Sequence, residues 1–250
     1  MSVWRQRGRP RAEWDGSLPH PVYRNLAAAV GAMMGIGQVL NYEASAEAAE
    51  LSRDLPPPPY PFPVDGVRAR NGERLFEQHC AGCHFAGATT VYPTSLTGTD
   101  PNRASSVTEE GRARLIAALR DGCTDPEVCD VPDHEVVGEL PAPSERGYMA
   151  LPLDGIWARA PYLHNGSVPT IYHLLVPESR PTTFIRGNIH YDTERVGFAW
   201  DASAAADKYT HAYDTTRSGR SNAGHTAFNG RDWSAHPDEL QDLLEYLKTL

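Results

Sequence analysis

The chain has little of what marks most enzyme and membrane classes. Its apolar stretch Leu26 to Leu40 (LAAAVGAMMGIGQVL) is shorter than the roughly 20 residues a spanning helix needs, so no integral membrane span is expected. Gly-rich phosphate loops, HExxH zinc sites, GxSxG nucleophile elbows and tandem repeats are all missing. Positive charge is also in deficit: 23 Lys and Arg against 32 Asp and Glu give a net charge of -9. That balance argues against a nucleic-acid partner and suits a basic redox partner, or simple solubility. Hydropathy is low, with a mean of -0.47. What the chain has in quantity is 21 prolines and 21 glycines in 250 residues, among long polar stretches without helical or strand period. Such a composition fits a small domain wearing long loops around a cofactor better than one large apolar core.

Cysteine is scarce, and two of the four stand in one tight motif, Cys80-Ala81-Gly82-Cys83-His84. CxxCH is the attachment pattern of a c-type haem: the two thiols add to the porphyrin vinyl groups and the adjacent imidazole binds iron. One helical turn puts both sulfurs on the same side and His84 over the ring centre. A structural zinc site would want a second close ligand pair, and Cys123 and Cys129 are set further apart. A thioredoxin-like site would want a preceding strand and a βαβ pattern, and neither is visible. One covalent haem c is therefore the expected cofactor. Cys123 and Cys129 are left either as a disulfide closing a small loop, which an oxidising compartment permits, or as two free thiols.

Around the motif the chain divides at its prolines. Asp54 to Pro63 (DLPPPPYPFP) cannot continue a helix and reads as a stiff spacer. Residues 1–65 are thus expected to form an N-terminal helical arm and linker, and 66–250 a haem domain. In the arm, Leu26 to Leu40 reads as a helix broken near Gly35 and Gly37, followed by a second segment over Ala44 to Leu51. In the domain, Arg68 to His79 runs helically into the motif. Pro237 to Leu250 carries Leu240, Leu243, Leu244 and Leu247 at helical spacing, and Glu109 to Arg120 is amphipathic and ends at Gly122. Phe184 to Trp200 is expected to hold a short β-hairpin. The fold class is mainly α. A helix leading into CxxCH and crossing a C-terminal helix that bears Tyr246 resembles the cytochrome c fold, in which a glycine, here Gly72, allows close approach.

A second resemblance rests on Gly155-Ile156-Trp157 and on Ala160-Pro161-Tyr162-Leu163-His164-Asn165-Gly166-Ser167-Val168-Pro169-Thr170. Phe184 to Phe198, Ser221 to His225, the terminal EYLKTL, Trp14-Asp15-Gly16 and Arg24 to Ala27 add to it. Together they resemble the bacterial di-haem cytochrome c peroxidase superfamily, in particular the branch with the rubber oxygenases and the methylamine-utilisation di-haem enzyme. The resemblance implies His225 as the distal ligand opposite His84. It also implies supporting or relay roles for His164, Tyr162 and Trp157 between haems. Met149, in a loop beyond the motif as in small cytochromes c, is the alternative sixth ligand. Those relatives carry two CxxCH motifs and this chain has one, matching the second. It is therefore either a single-haem descendant or the C-terminal part of a longer protein, whose partner would be a redox protein or a missing N-terminal haem domain. The implied function is one-electron transfer, the alternative being part of a haem peroxidase or oxygenase. A c-type haem implies a periplasmic or secreted location, although no convincing signal peptide precedes it, and no organic substrate is indicated.

Overall fold

The computed structural model describes residues 4–9, 11–33, 41–121, 123–201 and 208–250. The helices are α1 (Pro21–Met33), α2 (Tyr42–Arg53), α3 (Gly66–His79), α4 (Thr94–Thr97), α5 (Asn102–Ser105), α6 (Glu109–Arg120), α7 (Pro126–Cys129), α8 (Asp133–Val136), α9 (Ile171–Leu175) and α10 (Pro237–Leu247). Strands are short: β1 (Val91–Pro93), β2 (Gly147–Met149), β3 (Thr183–Arg186), β4 (Tyr191–Asp192), β5 (Gly197–Phe198) and β6 (His211–Asp214). They pair antiparallel in three two-stranded ribbons, β1 with β2, β3 with β6 and β4 with β5. The molecule is thus mainly helical with long connections. No helix of the described residues is long and apolar enough to cross a membrane. The expected break at Gly35 and Gly37 lies outside the described residues, as does the stop at Gly122.

Helix ends follow local chemistry. The Asp65 side chain caps α3 by accepting from the N–H groups of Val67 (2.9 Å) and Arg68 (3.1 Å), and Thr108 caps α6 through the Gly111 N–H at 3.0 Å. α10 begins with Pro237 and carries Asp238 and Glu239 in its first turn, where acids face the positive end of the helix dipole. Its four leucines are all buried, each worth roughly 2 kcal/mol on transfer from water. They join Phe76, Val168, Ile171, Val196 and Trp233 in one core.

The crossing of α3 and α10 turns on Gly72. A Cβ there would lie 2.0 Å from the Asp242 carbonyl oxygen and 2.8 Å from the Tyr246 Cβ. Only hydrogen fits, so the helices meet backbone to backbone. Phe76 and Tyr246 pack with centroids 5.3 Å apart, and Arg68 Nη1 reaches Asp242 Oδ1 at 2.9 Å.

A second core joins Leu18, Tyr23 and Leu26 from before the prolines to Ile116, Leu119, Val136 and Val137. The Tyr23 hydroxyl donates to the Val128 carbonyl at 2.7 Å. Cys123 and Cys129 form a disulfide beside this core. The proline run is held at both ends: the Arg5 N–H donates to the Leu55 carbonyl at 2.8 Å, and the Asp65 N–H to Glu245 Oε2 at 2.8 Å. The hairpin expected over Phe184 to Trp200 is centred on β4 and β5, pairing Tyr191 with Phe198, and the Ile185 N–H donates to the Trp200 carbonyl at 2.8 Å at its outer end. β3 also takes β6 as its strand partner, with Phe184 against Tyr213 at 5.4 Å, an aromatic cross-strand pair of the kind that stabilises a ribbon.

Gly72→Ala is expected to cost about 2–3 kcal/mol through overpacking at the crossing. Gly66→Ala, where the nearest atom to an added Cβ is Arg70 Nη1 at 3.7 Å, should shift stability by less than about 0.5 kcal/mol. Denaturant midpoints of the two variants check the contrast. Equal midpoints would show that the helices can part without penalty.

Candidate functional site

Beyond α3 the chain keeps a helical turn through the motif. The N–H of Cys80 donates to the Phe76 carbonyl at 2.8 Å, and those of Cys83 (3.1 Å) and His84 (2.9 Å) to the Cys80 carbonyl. Both cysteines are free thiols, Cys80 half-buried and Cys83 exposed. Burial, then the neighbouring Cys83, pushes the Cys80 thiol up to about 12, opposite to the lowering that marks a reactive dithiol. The His84 Nδ1 lies 2.8 Å from the Leu151 carbonyl oxygen. Since a carbonyl only accepts, Nδ1 carries the proton and Nε2 is the nitrogen left with a free lone pair. Burial lowers the His84 pKa, with the Leu151 bond acting against the shift.

His225 faces this ring. The two imidazole centroids are 6.0 Å apart and their planes 54° inclined. A metal-bound imidazole nitrogen lies about 2 Å from the ion, with the ring centre about 1 Å further out, so two imidazoles sharing one ion have centroids about 6 Å apart. The His225 Nδ1 is buried without a hydrogen-bond partner, and burial, then His84, lowers its pKa to about 3. Among the described residues no group of three or more His, Cys, Asp or Glu is placed to hold a metal ion by itself. The donor set is therefore two opposed histidines beside two thiols, which fits a haem and does not fit a protein-only zinc cage.

His225 is placed by backbone bonds. Its N–H donates to the Thr97 carbonyl at 2.9 Å, and its φ of 51° is left-handed. Gly224 before it has φ +82° and leaves 2.4 Å from a would-be Cβ to the Thr99 nitrogen, so the segment lies flush on the 97–99 turn. Arg180 ties the same segment to the end of α9. Its Nη1 donates to the carbonyls of Asn222 (2.6 Å) and Gly224 (2.8 Å), its Nη2 to those of Leu174 (2.9 Å) and His225 (3.5 Å), and its Nε to that of His173 (2.9 Å).

A cavity of about 610 Å³ opens beside His84, walled by Pro57, Pro58, Pro59, Tyr60, Phe76, Trp157 and Leu250. Trp157 meets Tyr60 edge-on at 5.4 Å, and Tyr60 meets Phe62 at 5.5 Å. The Tyr191 hydroxyl donates to the Trp157 carbonyl at 2.8 Å. The expected aromatic at position 157 is thus pocket wall. Tyr162 is buried in the core and its hydroxyl donates to the Ile156 carbonyl at 3.1 Å. His164 stacks on Tyr148 at 3.9 Å, 14° from parallel, with Nε2 buried and unpartnered. Met149 is buried, its sulfur 2.7 Å from where a Gly16 Cβ would stand, the packing expected of a flexible thioether. The structure brings Cys80, Cys83, His84, His225 and Trp157 to one region. Sequence reasoning passed over Arg180, Tyr60 and the proline wall. A proline run next to an aromatic was the available signal for the wall, and none pointed to Arg180.

Burial lowers the His164 pKa to about 4, with Asp100 opposing and Arg103 assisting. A histidine kept neutral in the fold but protonated when unfolded takes stability away as pH falls from about 6.5 towards 4; above 6.5 its contribution is complete. With partial exposure discounted, the loss is about 1–2 kcal/mol. Unfolding at pH 7 and pH 4.5 should show that loss reduced in His164→Gln. An unchanged pH dependence in the variant would remove His164 as its source.

Residues 147–185 match the RoxA-like, cytochrome c-like family. The chain is 38% identical over 274 residues to protein y4iM of Sinorhizobium fredii, covering 99% of this chain and 63% of that protein. It is 32% identical over 253 residues to protein y4iJ of the same organism, covering 78% of this chain and 41% of that one. The chain thus spans less than two thirds of the length of these curated relatives. The matched stretch contains Met149, Trp157, Tyr162, His164 and Arg180, while the CxxCH turn and His225 lie outside it. Over that stretch the chain is similar to a cytochrome c-like domain related to RoxA.

Proposed function

We propose that this chain is a c-type cytochrome domain, residues 66–250 with the proline segment folded against them, that holds one covalent haem and passes single electrons. The carrying observation is the 6.0 Å separation of the His84 and His225 rings directly beside two free thiols. In this reading Cys80 and Cys83 would hold the haem through their thiols, and His84 and His225 would be the residues that ligate its iron. Bound haem supplies a one-electron ferric/ferrous couple.

The protein's part is to hold both ligands and limit water. The Leu151 carbonyl fixes the His84 tautomer and orientation. Arg180 and the Thr97 carbonyl hold the His225 segment in place. Pro57 to Tyr60 and Trp157 close the apolar side. Tyr162 and His164 support the 160–170 segment by packing, and Met149 stays in its own pocket. The disulfide accords with a periplasmic or secreted setting. One observation favours a second reading, that the domain serves a haem peroxidase or oxygenase of the di-haem peroxidase superfamily: the curated relatives extend well past the matched region.

Protein matured with haem should show a low-spin ferric spectrum that ignores peroxide, and a ferrous form that ignores carbon monoxide. His225→Ala should turn high-spin and bind both. A wild type that is already high-spin and consumes peroxide would refute the electron-carrier reading and favour the enzyme.

A further inference from the structure

The chain contains three Asn-Gly pairs, Asn71-Gly72, Asn165-Gly166 and Asn229-Gly230. In such a pair the glycine nitrogen can attack the preceding side-chain amide, because the glycine has no side chain to shield it. The attack needs a backbone that can bend back on that amide, so the fold decides which pair is open to it.

Two pairs are closed. Asn71-Gly72 lies inside α3, where N–H groups are bonded along the helix, and the glycine is pressed against the Asp242 carbonyl. Asn165 has its amide held on both sides. Its Nδ2 donates to the carbonyls of Ser221 (2.9 Å) and Gly219 (3.3 Å), and its Oδ1 accepts from the Ser167 N–H at 3.2 Å. A Cβ at Gly166 would also stand 3.2 Å from Arg186 Nη2 and from Pro161 Cγ.

The third pair is open. Asn229 and Gly230 are exposed, with φ of 50° and 76°, and the Arg231 N–H donates to the Phe228 carbonyl at 3.0 Å. Two left-handed central residues closed by that bond follow the type I′ turn pattern, in which Asn-Gly is the favoured pair. The closing bond comes from Arg231 rather than from the Gly230 nitrogen, and a Cβ at Gly230 would meet no described atom within 4 Å. The turn also sits where a new charge matters. Asn229 Nδ2 donates to the Gln78 carbonyl at 3.2 Å, joining the His225 loop to the end of α3 just before Cys80. Phe228, buried beside the turn, packs edge-on against the His225 ring at 5.3 Å.

We propose that Asn229 is a site of spontaneous deamidation whose conversion unclips the His225 loop from the helix that carries CxxCH. The Gly230 nitrogen forms a bond to Asn229 Cγ, the Cγ–Nδ2 bond breaks, and Nδ2 leaves as ammonia with the proton from Gly230. Water then adds to one carbonyl of the cyclic imide and opens it. The product is a carboxylate, on aspartate or on an isoaspartate whose main chain runs through Cγ. Either way the donor that faced the Gln78 carbonyl becomes a charged acceptor, and attraction turns to repulsion. The effect on the iron rests on the haem reading above, whereas the modification itself does not.

The full chain, matured with haem, would be aged in mildly alkaline buffer and mapped by peptide mass spectrometry, with isoaspartate detected by its enzymatic methylation. Asn229 is expected to convert roughly tenfold faster than Asn71 and Asn165, and denaturant should bring the three rates together. Carbon monoxide, which the fresh ferrous protein is expected to ignore, should bind increasingly as the wild type ages and at once in Asn229→Asp. Asn229→Gly keeps the turn without the amide, and its carbon monoxide binding should not change with age. Conversion of Asn71 or Asn165 as fast as Asn229 in the folded protein would overturn the site. Conversion of Asn229 with carbon monoxide still excluded, from aged wild type and Asn229→Asp alike, would overturn the unclipping. A chain that takes up no haem would overturn the haem reading instead. Mass mapping and amide hydrogen exchange of residues 222–230, expected to quicken in Asn229→Asp, would then decide the proposal.

Discussion

One guanidinium holds together the part of the site that comes from farthest along the chain. Arg180 satisfies five backbone carbonyls, two at the end of α9 and three in the 222–225 segment. Burial lowers its own pKa to about 10, with Glu178 opposing, and the carbonyl oxygens accept from its buried N–H groups. The fork adds to the Thr97 bond, the close Gly224 contact and the bond from Asn222 Nδ2 to the Pro181 carbonyl, which hold the same segment. Two histidines more than 140 residues apart in sequence can face one another only if both loops are tied to the helical core. On the other side, the Leu151 carbonyl and the turn following α3 do the same for His84.

The rest of the architecture serves that opposition. The contact of α3 with α10 at Gly72 sets where the CxxCH turn emerges, and the buried leucines of α10 fix the helix against Phe76. The proline segment then lies over the open side, with Tyr60 between Trp157 and Phe62. Polyproline has little conformational freedom to lose, so it makes a low-entropy wall. The second core, built from α1 and the 115–137 region, carries the disulfide and stands apart from the two histidines.

Much of this was legible in the residues. Helices α3, α6 and α10 were readable from the run into the CxxCH motif, from amphipathic spacing and from the leucines after Pro237, because periodicity is local; the Asp65 and Thr108 caps came from the structure. The CxxCH turn and the need for Gly72 were readable for the same reason, and His225 came from resemblance rather than from pattern. What could not be read was non-local. Nothing near Arg180 says that its partners lie 42 to 45 residues on, and nothing near Phe184 says that its strand partner is Tyr213 rather than the adjacent hairpin. The proline run reads as a spacer, since chain stiffness is visible in sequence while the surface it lies on is not. Buried arginines such as Arg9 and Arg24 look like ordinary surface charges until burial is known.

The central claim is that a single haem sits between His84 and His225. Near-infrared magnetic circular dichroism with electron paramagnetic resonance of the ferric, matured protein addresses it most directly, since both report the identity of the axial ligands. The account predicts a low-spin bis-histidine signature. A histidine–methionine charge-transfer band, or a high-spin signal with one histidine, would contradict it.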